Sequence, residues 1–99
     1  MYVEFQVKQW HKARNLVHGS TDKDQCLKLM QEVGELSDSI CKGKPVIDDV
    51  GDILVILINI AERNGLSLEE CLKHSYEEIK DRKGTMMYGV FIKEEDNNE

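Results

Sequence analysis

The run Ile53-Leu54-Val55-Ile56-Leu57-Ile58 constrains this chain more than any other feature, because it is apolar at every position over more than a helical turn. Pro45 stands where a helix containing it would begin, and its fixed φ and missing N–H suit a first turn. Asn64-Gly65 gives that helix a C-cap. A helix that is apolar all round must be covered on every side. A single domain of 99 residues can do this only by running the helix through its centre, and burial in a homo-oligomer is the simpler arrangement.

Three further helices flank it. Val3, Val7, Trp10 and Val17 recur at helical spacing, which predicts a first helix ending near His18-Gly19. Ser20, Thr21 or Asp22 then offers an N-cap for a second helix over about Lys23 to Cys41, with Leu29, Val33, Leu36 and Ile40 on one stripe and Lys42-Gly43 as its stop. Ser67 caps a fourth helix with Glu70 in the reciprocal position of a capping box, and this helix continues to about Arg82. The β-branched and aromatic residues of Thr85 to Lys93, around Gly89, predict a short extended arm or hairpin, and Glu94 to Glu99 reads as an acidic, disordered tail. The expected fold is all-α, a single four-helix domain over residues 1–93 ending in that arm.

Composition narrows the function. With 40% hydrophobic and 32% charged residues the chain reads as an ordinary globular domain. A formal net charge of −6 and no dense basic run exclude a nucleic-acid footprint. No apolar stretch approaches the ~20 residues of a membrane span and no apolar leader opens the chain, so a cytoplasmic protein is expected. Cys26, Cys41 and Cys71 form no CxxC pair and read as small buried hydrophobes in a reducing compartment.

The chemistry is carried by a near-repeat. Glu32-Val33-Gly34-Glu35 on the second helix is echoed by Asp49-Val50-Gly51-Asp52 on the third. Acids three residues apart share a helical face, and two antiparallel helices can bring four of them together around a cation. Oxygen ligands alone favour magnesium, with manganese possible, over zinc. Gly34 and Gly51, at matched positions inside helices, suggest a close backbone approach there. Lys28 joins the face of Glu32 and Glu35, and Asp48 and Asn59 lie beside Asp52. The plainer reading, two solvated acid pairs, is weakened by the apolar run next to one of them, where unpaired charge is expensive.

These residues resemble the all-α nucleoside triphosphate pyrophosphatases, and among them the short MazG-like proteins. The resemblance spans about Gln25 to Glu94 and rests on Lys28 to Leu36, on Asp48 to Val55, on Ile79-Lys80-Asp81-Arg82-Lys83-Gly84 and on Gly89 to Lys93. It implies a MazG-like bundle that hydrolyses a nucleoside triphosphate to the monophosphate and pyrophosphate. Glu32, Glu35, Asp49 and Asp52 would be the magnesium ligands and catalytic acids, Lys80 and Arg82 would contact substrate phosphates, and the protein would be a homodimer or homotetramer. Gln31 and Asp49 stand where the family often has glutamate.

Among other residues, Trp10 lies on the apolar stripe of the first helix and is expected in the core, with stacking on a nucleobase as its functional reading. His11, His18 and His74 are expected at the surface. Lys80, Arg82 and Lys83 also suit a helix C-terminus. Asn59 interrupts an apolar helix, so its amide needs partners, and substrate contact is one way to supply them. A di-iron bundle is excluded by the lack of any Glu-x-x-His pair. A non-catalytic regulatory or assembly module with the same fold is the competing reading.

Overall fold

A computed structural model describes residues 2–94, so most of the expected tail lies outside the described residues. The chain forms α1 (Tyr2–Ala13), α2 (Asp22–Cys41), α3 (Ile47–Arg63) and α4 (Leu68–Ile79), followed by the strands β1 (Gly84–Met87) and β2 (Val90–Lys93). The fold is all-α with a C-terminal hairpin. No helix among the described residues is long and apolar enough to cross a membrane.

Local chemistry sets most helix starts. Thr21 Oγ1 accepts from the N–H of Asp24 at 3.1 Å while Asp24 Oδ2 accepts from the N–H of Thr21 at 3.0 Å. Ser67 and Glu70 repeat the reciprocal pair at 3.0 and 2.9 Å, as the sequence predicts. Pro45 does not open α3: it precedes the N-cap Val46, in a connection that follows the left-handed turn at Gly43 (φ 67°).

Helix ends follow a shared device. Asn15, Gly43 and Gly65 each have positive φ, and the next N–H closes back on the carbonyl five residues earlier, Leu16 to His11, Lys44 to Ser39 and Leu66 to Ala61. The first closure ends α1 at Ala13, short of His18, because the left-handed Asn15 interrupts a hydrophobic spacing that otherwise runs on to Val17. Similarly α4 stops at Ile79 rather than Arg82, where the N–H of Arg82 closes a turn on the Ile79 carbonyl and leads into β1.

The hairpin is antiparallel, pairing Gly84 with Lys93, Thr85 with Ile92, Met86 with Phe91 and Met87 with Val90. Tyr88 and Gly89, at φ 52° and 80°, form its two-residue turn.

Helix α3 packs on each of the other three helices. Its Ile56, Ile58 and Ala61 are the buried apolar side chains among the described residues. Ile53, Val55, Leu57 and Ile60 are only half-buried and Leu54 is exposed, so one chain does not cover its own apolar helix. The expected burial of the cysteines is not met: Cys26 and Cys41, on α2, are exposed, and Cys71, on the covered side of α4, is half-buried.

Polar groups complete the interior. The buried Glu4 of α1 accepts from the N–H of Leu68, which puts a carboxylate at the positive end of α4. Arg63, at the end of α3, donates from Nη1 to the Ser20 carbonyl at 2.9 Å and from Nη2 to the carbonyls of Leu16 and Val17 and to Ser20 Oγ. Its Nε donates to Asn59 Oδ1 at 3.1 Å, and Asn59 Nδ2 donates to the Leu16 carbonyl at 2.9 Å. The α1–α2 connection is therefore folded around one guanidinium.

Replacing Arg63 with alanine should take its hydrogen bonds from the Leu16, Val17 and Ser20 carbonyls and from Asn59 Oδ1, and cost about 3 kcal/mol in a urea titration. Arg63→Lys should recover only part of this, since an ammonium lacks the planar fork. Equal stability of wild type and Arg63→Ala would remove the clamp from the account.

Candidate functional site

A cleft of about 460 Å³ opens between the first three helices. Helix α2 lines it with Gln25, Lys28 and Glu32, spaced i, i+3, i+7, and α3 with Asp52, Val55, Ile56 and Asn59, spaced i, i+3, i+4, i+7. Each set is one face of its helix. Helix α1 adds Trp10 and His11, and the connection held by Arg63 adds Leu16. One wall is charged and the other is aromatic and amide-bearing.

Glu32 is the centre of the charged wall. It is 7% exposed and is the one buried residue of α2. Its Oε1 lies 3.6 Å from Lys28 Nζ, while Oε2 is buried with no hydrogen-bond partner. A carboxylate oxygen in that condition costs free energy unless a cation or donor meets it. Glu35, one turn on, has its carboxyl held above the usual range, first by the charge of Glu32, then by a hydrogen bond with Glu32 and by desolvation. Lys28 opposes this and Asp49 adds to it. Glu32, Glu35 and Asp49 thus interact across α2 and α3.

The four expected acids do not close into a cage. Glu32 and Asp52 share the cleft and Glu35 and Asp49 stand beside it, yet no group of three or more His, Cys, Asp or Glu among the described residues is gathered closely enough to hold a metal ion. The close approach expected at Gly34 and Gly51 is absent, for a Cβ built on either would meet nothing within 4 Å. Lys28 and Asn59 fall in the cleft as the sequence predicts. Lys80 and Arg82 do not line it: Lys80 ends α4 and pairs with Glu77 at 2.7 Å, and Arg82 lies in the turn beyond.

Trp10 is not in the core. Its ring is 47% exposed, sits edge-on to His11 with centroids 5.8 Å apart, and has the Arg14 guanidinium 4.3 Å from its centroid. His11, expected at the surface, is 2% exposed because α1 lays it against α3, and its Nδ1 has no partner. Burial lowers its pKa, with the charge of Glu62 opposing. The Asn59 amide finds its needed partners within the chain, in Leu16 and Arg63, which leaves one N–H and one lone pair free of the contacts named. Sequence reasoning missed Gln25, His11 and Arg63. Stepping seven residues back from Glu32 finds Gln25, and four residues on from Asn59 finds Arg63.

No family model matches the chain, and no solved structure matches it. A 60-residue segment is 42% identical to part of an uncharacterized 18.2 kDa protein in the rep-hol intergenic region of Haemophilus phage HP1 (strain HP1c1). The match covers 59% of this chain and 37% of that protein, so the chain spans little more than a third of its relative's length.

The lowered pKa of His11 gives a pH test. The folded state prefers the neutral ring, so the unfolded chain takes up the proton first as pH falls below the ordinary value of 6.5. Stability should be flat above that pH and decline from 6.5 toward 5, and His11→Phe should flatten this part of the profile. A wild-type urea midpoint constant across that window would contradict the burial of a neutral His11.

Proposed function

We propose that this chain is a magnesium-dependent nucleoside triphosphate pyrophosphohydrolase of the MazG-like kind. The observation that carries the reading is Glu32, buried with one oxygen unpartnered, beside Glu35 and in one cleft with Asp52. That donor set suits a hard cation, and Glu32, Glu35, Asp49 and Asp52 are the residues that would hold it. A preformed cage is not required, because magnesium keeps several waters and is completed by substrate phosphates. When bound, the ion would offset the triphosphate's charge and make an attacking water more acidic.

The chain's own groups do the rest. The cleft volume falls within the range of small-molecule sites. Trp10, 47% exposed, offers a ring for a base to stack on, and Asn59, 1% exposed and bonded to Leu16 and Arg63, holds the wall beside it. Lys28, already paired with Glu32, places a cation at the charged wall for a phosphate oxygen. A carboxylate of the Glu32–Glu35 pair accepts a proton from the water, which attacks the α-phosphorus as the bond to the β-phosphate oxygen breaks. Pyrophosphate leaves with that electron pair.

A non-catalytic helical module is the second reading, and the open arrangement of the acids favours it. A panel of ribo-, deoxy- and oxidised nucleoside triphosphates with magnesium separates the two. Pyrophosphate release is expected from at least one, and Glu32→Gln should reduce it roughly 100-fold or more. Magnesium alone should raise the wild-type Tm but not that of Glu32→Gln. A blank panel, with a magnesium response unaltered by the substitution, would favour the module.

A further inference from the structure

The cleft has two chemically different ends. Glu32 of α2 and Asp52 of α3 mark one, with Glu35 and Asp49 beside it. Gln25 and Asn59 mark the other, seven residues away on the same two helix faces, or about 10 Å at the rise of an α-helix. They share an end because both join the network around Arg63. His11 belongs there too. Its carbonyl accepts from the N–H of Leu16, whose own carbonyl accepts from Asn59, and its ring feels the charge of Glu62, one turn past Asn59 on α3. A nucleotide whose α-phosphate meets the acids therefore reaches this end with its base, since the sugar occupies the gap between them.

Ser20 decides what the far end offers. Its Oγ gives its single proton to the Leu16 carbonyl at 2.8 Å, so toward every other neighbour it can only accept. It accepts from Arg63 Nη2 at 2.7 Å and from Gln25 Nε2 at 3.1 Å. The Gln25 amide is thereby locked with its NH2 on Ser20, and its carbonyl Oε1 takes no part in this network. Turning the amide over would set two acceptors against each other. His11 is the opposite case. It is 2% exposed, its Nδ1 has no partner, and a neutral imidazole offers either a donor or an acceptor there according to its tautomer. Burial keeps the ring neutral. His11 can adapt to a base, whereas Gln25 can only select one.

We propose that this end of the cleft is a base subsite, in which Gln25 Oε1 accepts from an exocyclic amino group and His11 Nδ1 pairs with the ring nitrogen beside it. Cytosine and adenine present that edge. Uracil and thymine place a carbonyl oxygen there, which would face the Gln25 oxygen with no proton between them. A site built to bond a group that a competitor lacks rejects that competitor strongly. The ring of Trp10, edge-on to His11, flanks the subsite at the rim. The proposal rests on the nucleotide reading of the cleft and narrows it to nucleotides of an amino-bearing base.

Cytidine and uridine monophosphates test it without turnover, because neither has a phosphoanhydride to break. Trp10 is the chain's single tryptophan, so its fluorescence reports on this end. With magnesium present, the cytidine nucleotide should bind at least about 10-fold more tightly than the uridine one. Gln25→Leu should bring the ratio near one by weakening the cytidine nucleotide, and Ser20→Ala, which frees the amide to turn, should lower it too, both with unchanged far-UV circular dichroism. A Gln25 with a merely structural role would instead weaken both nucleotides alike and keep the ratio. Discrimination without pyrophosphate release from any triphosphate would sink the hydrolase and leave the subsite standing. Equal binding of the two nucleotides, no Trp10 response to either at millimolar concentration, or selection for the sugar in place of the base would overturn the subsite, whether or not pyrophosphate is released.

Discussion

One guanidinium holds the cleft in shape. Arg63 gathers the carbonyls of Leu16, Val17 and Ser20 while its Nε fixes Asn59, which itself holds Leu16. The Ser20 carbonyl would otherwise lose its donor and those of Leu16 and Val17 a charged one, and an unmade hydrogen bond is more costly than a made one is favourable. The clamp therefore works by making any other path for the α1–α2 connection expensive. It is this path that returns α1 across α3 and sets Trp10 and His11 opposite Glu32 and Asp52.

The same economy sets the character of the cleft. Among the described residues the buried apolar side chains are Ile56, Ile58 and Ala61, and the buried polar ones are Glu4, His11, Glu32 and Asn59. Glu4 has the start of α4, and Asn59 has its two partners. Among the described residues Glu32 Oε2, His11 Nδ1 and Glu62 Oε1 are the exceptions; Glu32 and His11 line the cleft between the first three helices, and Glu62 lies outside it.

A thin core also sets what the surface must do. Helices α2 and α4 bury almost nothing apolar in the single chain, and the hairpin buries nothing. The apolar run in α3 implied such a shortfall before any coordinates, because too few residues flank it to wrap it.

The features legible in the sequence are those that act within one or two turns of backbone. Thr21-x-x-Asp24 and Ser67-x-x-Glu70 start helices because a side chain reaches its own N–H groups. Glu32 and Glu35 share a face because 3.6 residues make a turn, and Gly89 marks the hairpin because its turn needs positive φ. What depends on groups distant in sequence was not legible. His11 is buried only because α1 crosses α3, and Arg63 is a clamp only because residues 43 to 47 positions earlier lie against it. Gly34 and Gly51 looked like contact points, yet a Cβ on either would enter open space. Lys80 and Arg82 follow the acids in sequence and not in the fold of one chain. Local hydrogen bonding is written residue by residue, whereas burial and pairing across the chain are decided only when whole helices choose which faces to cover.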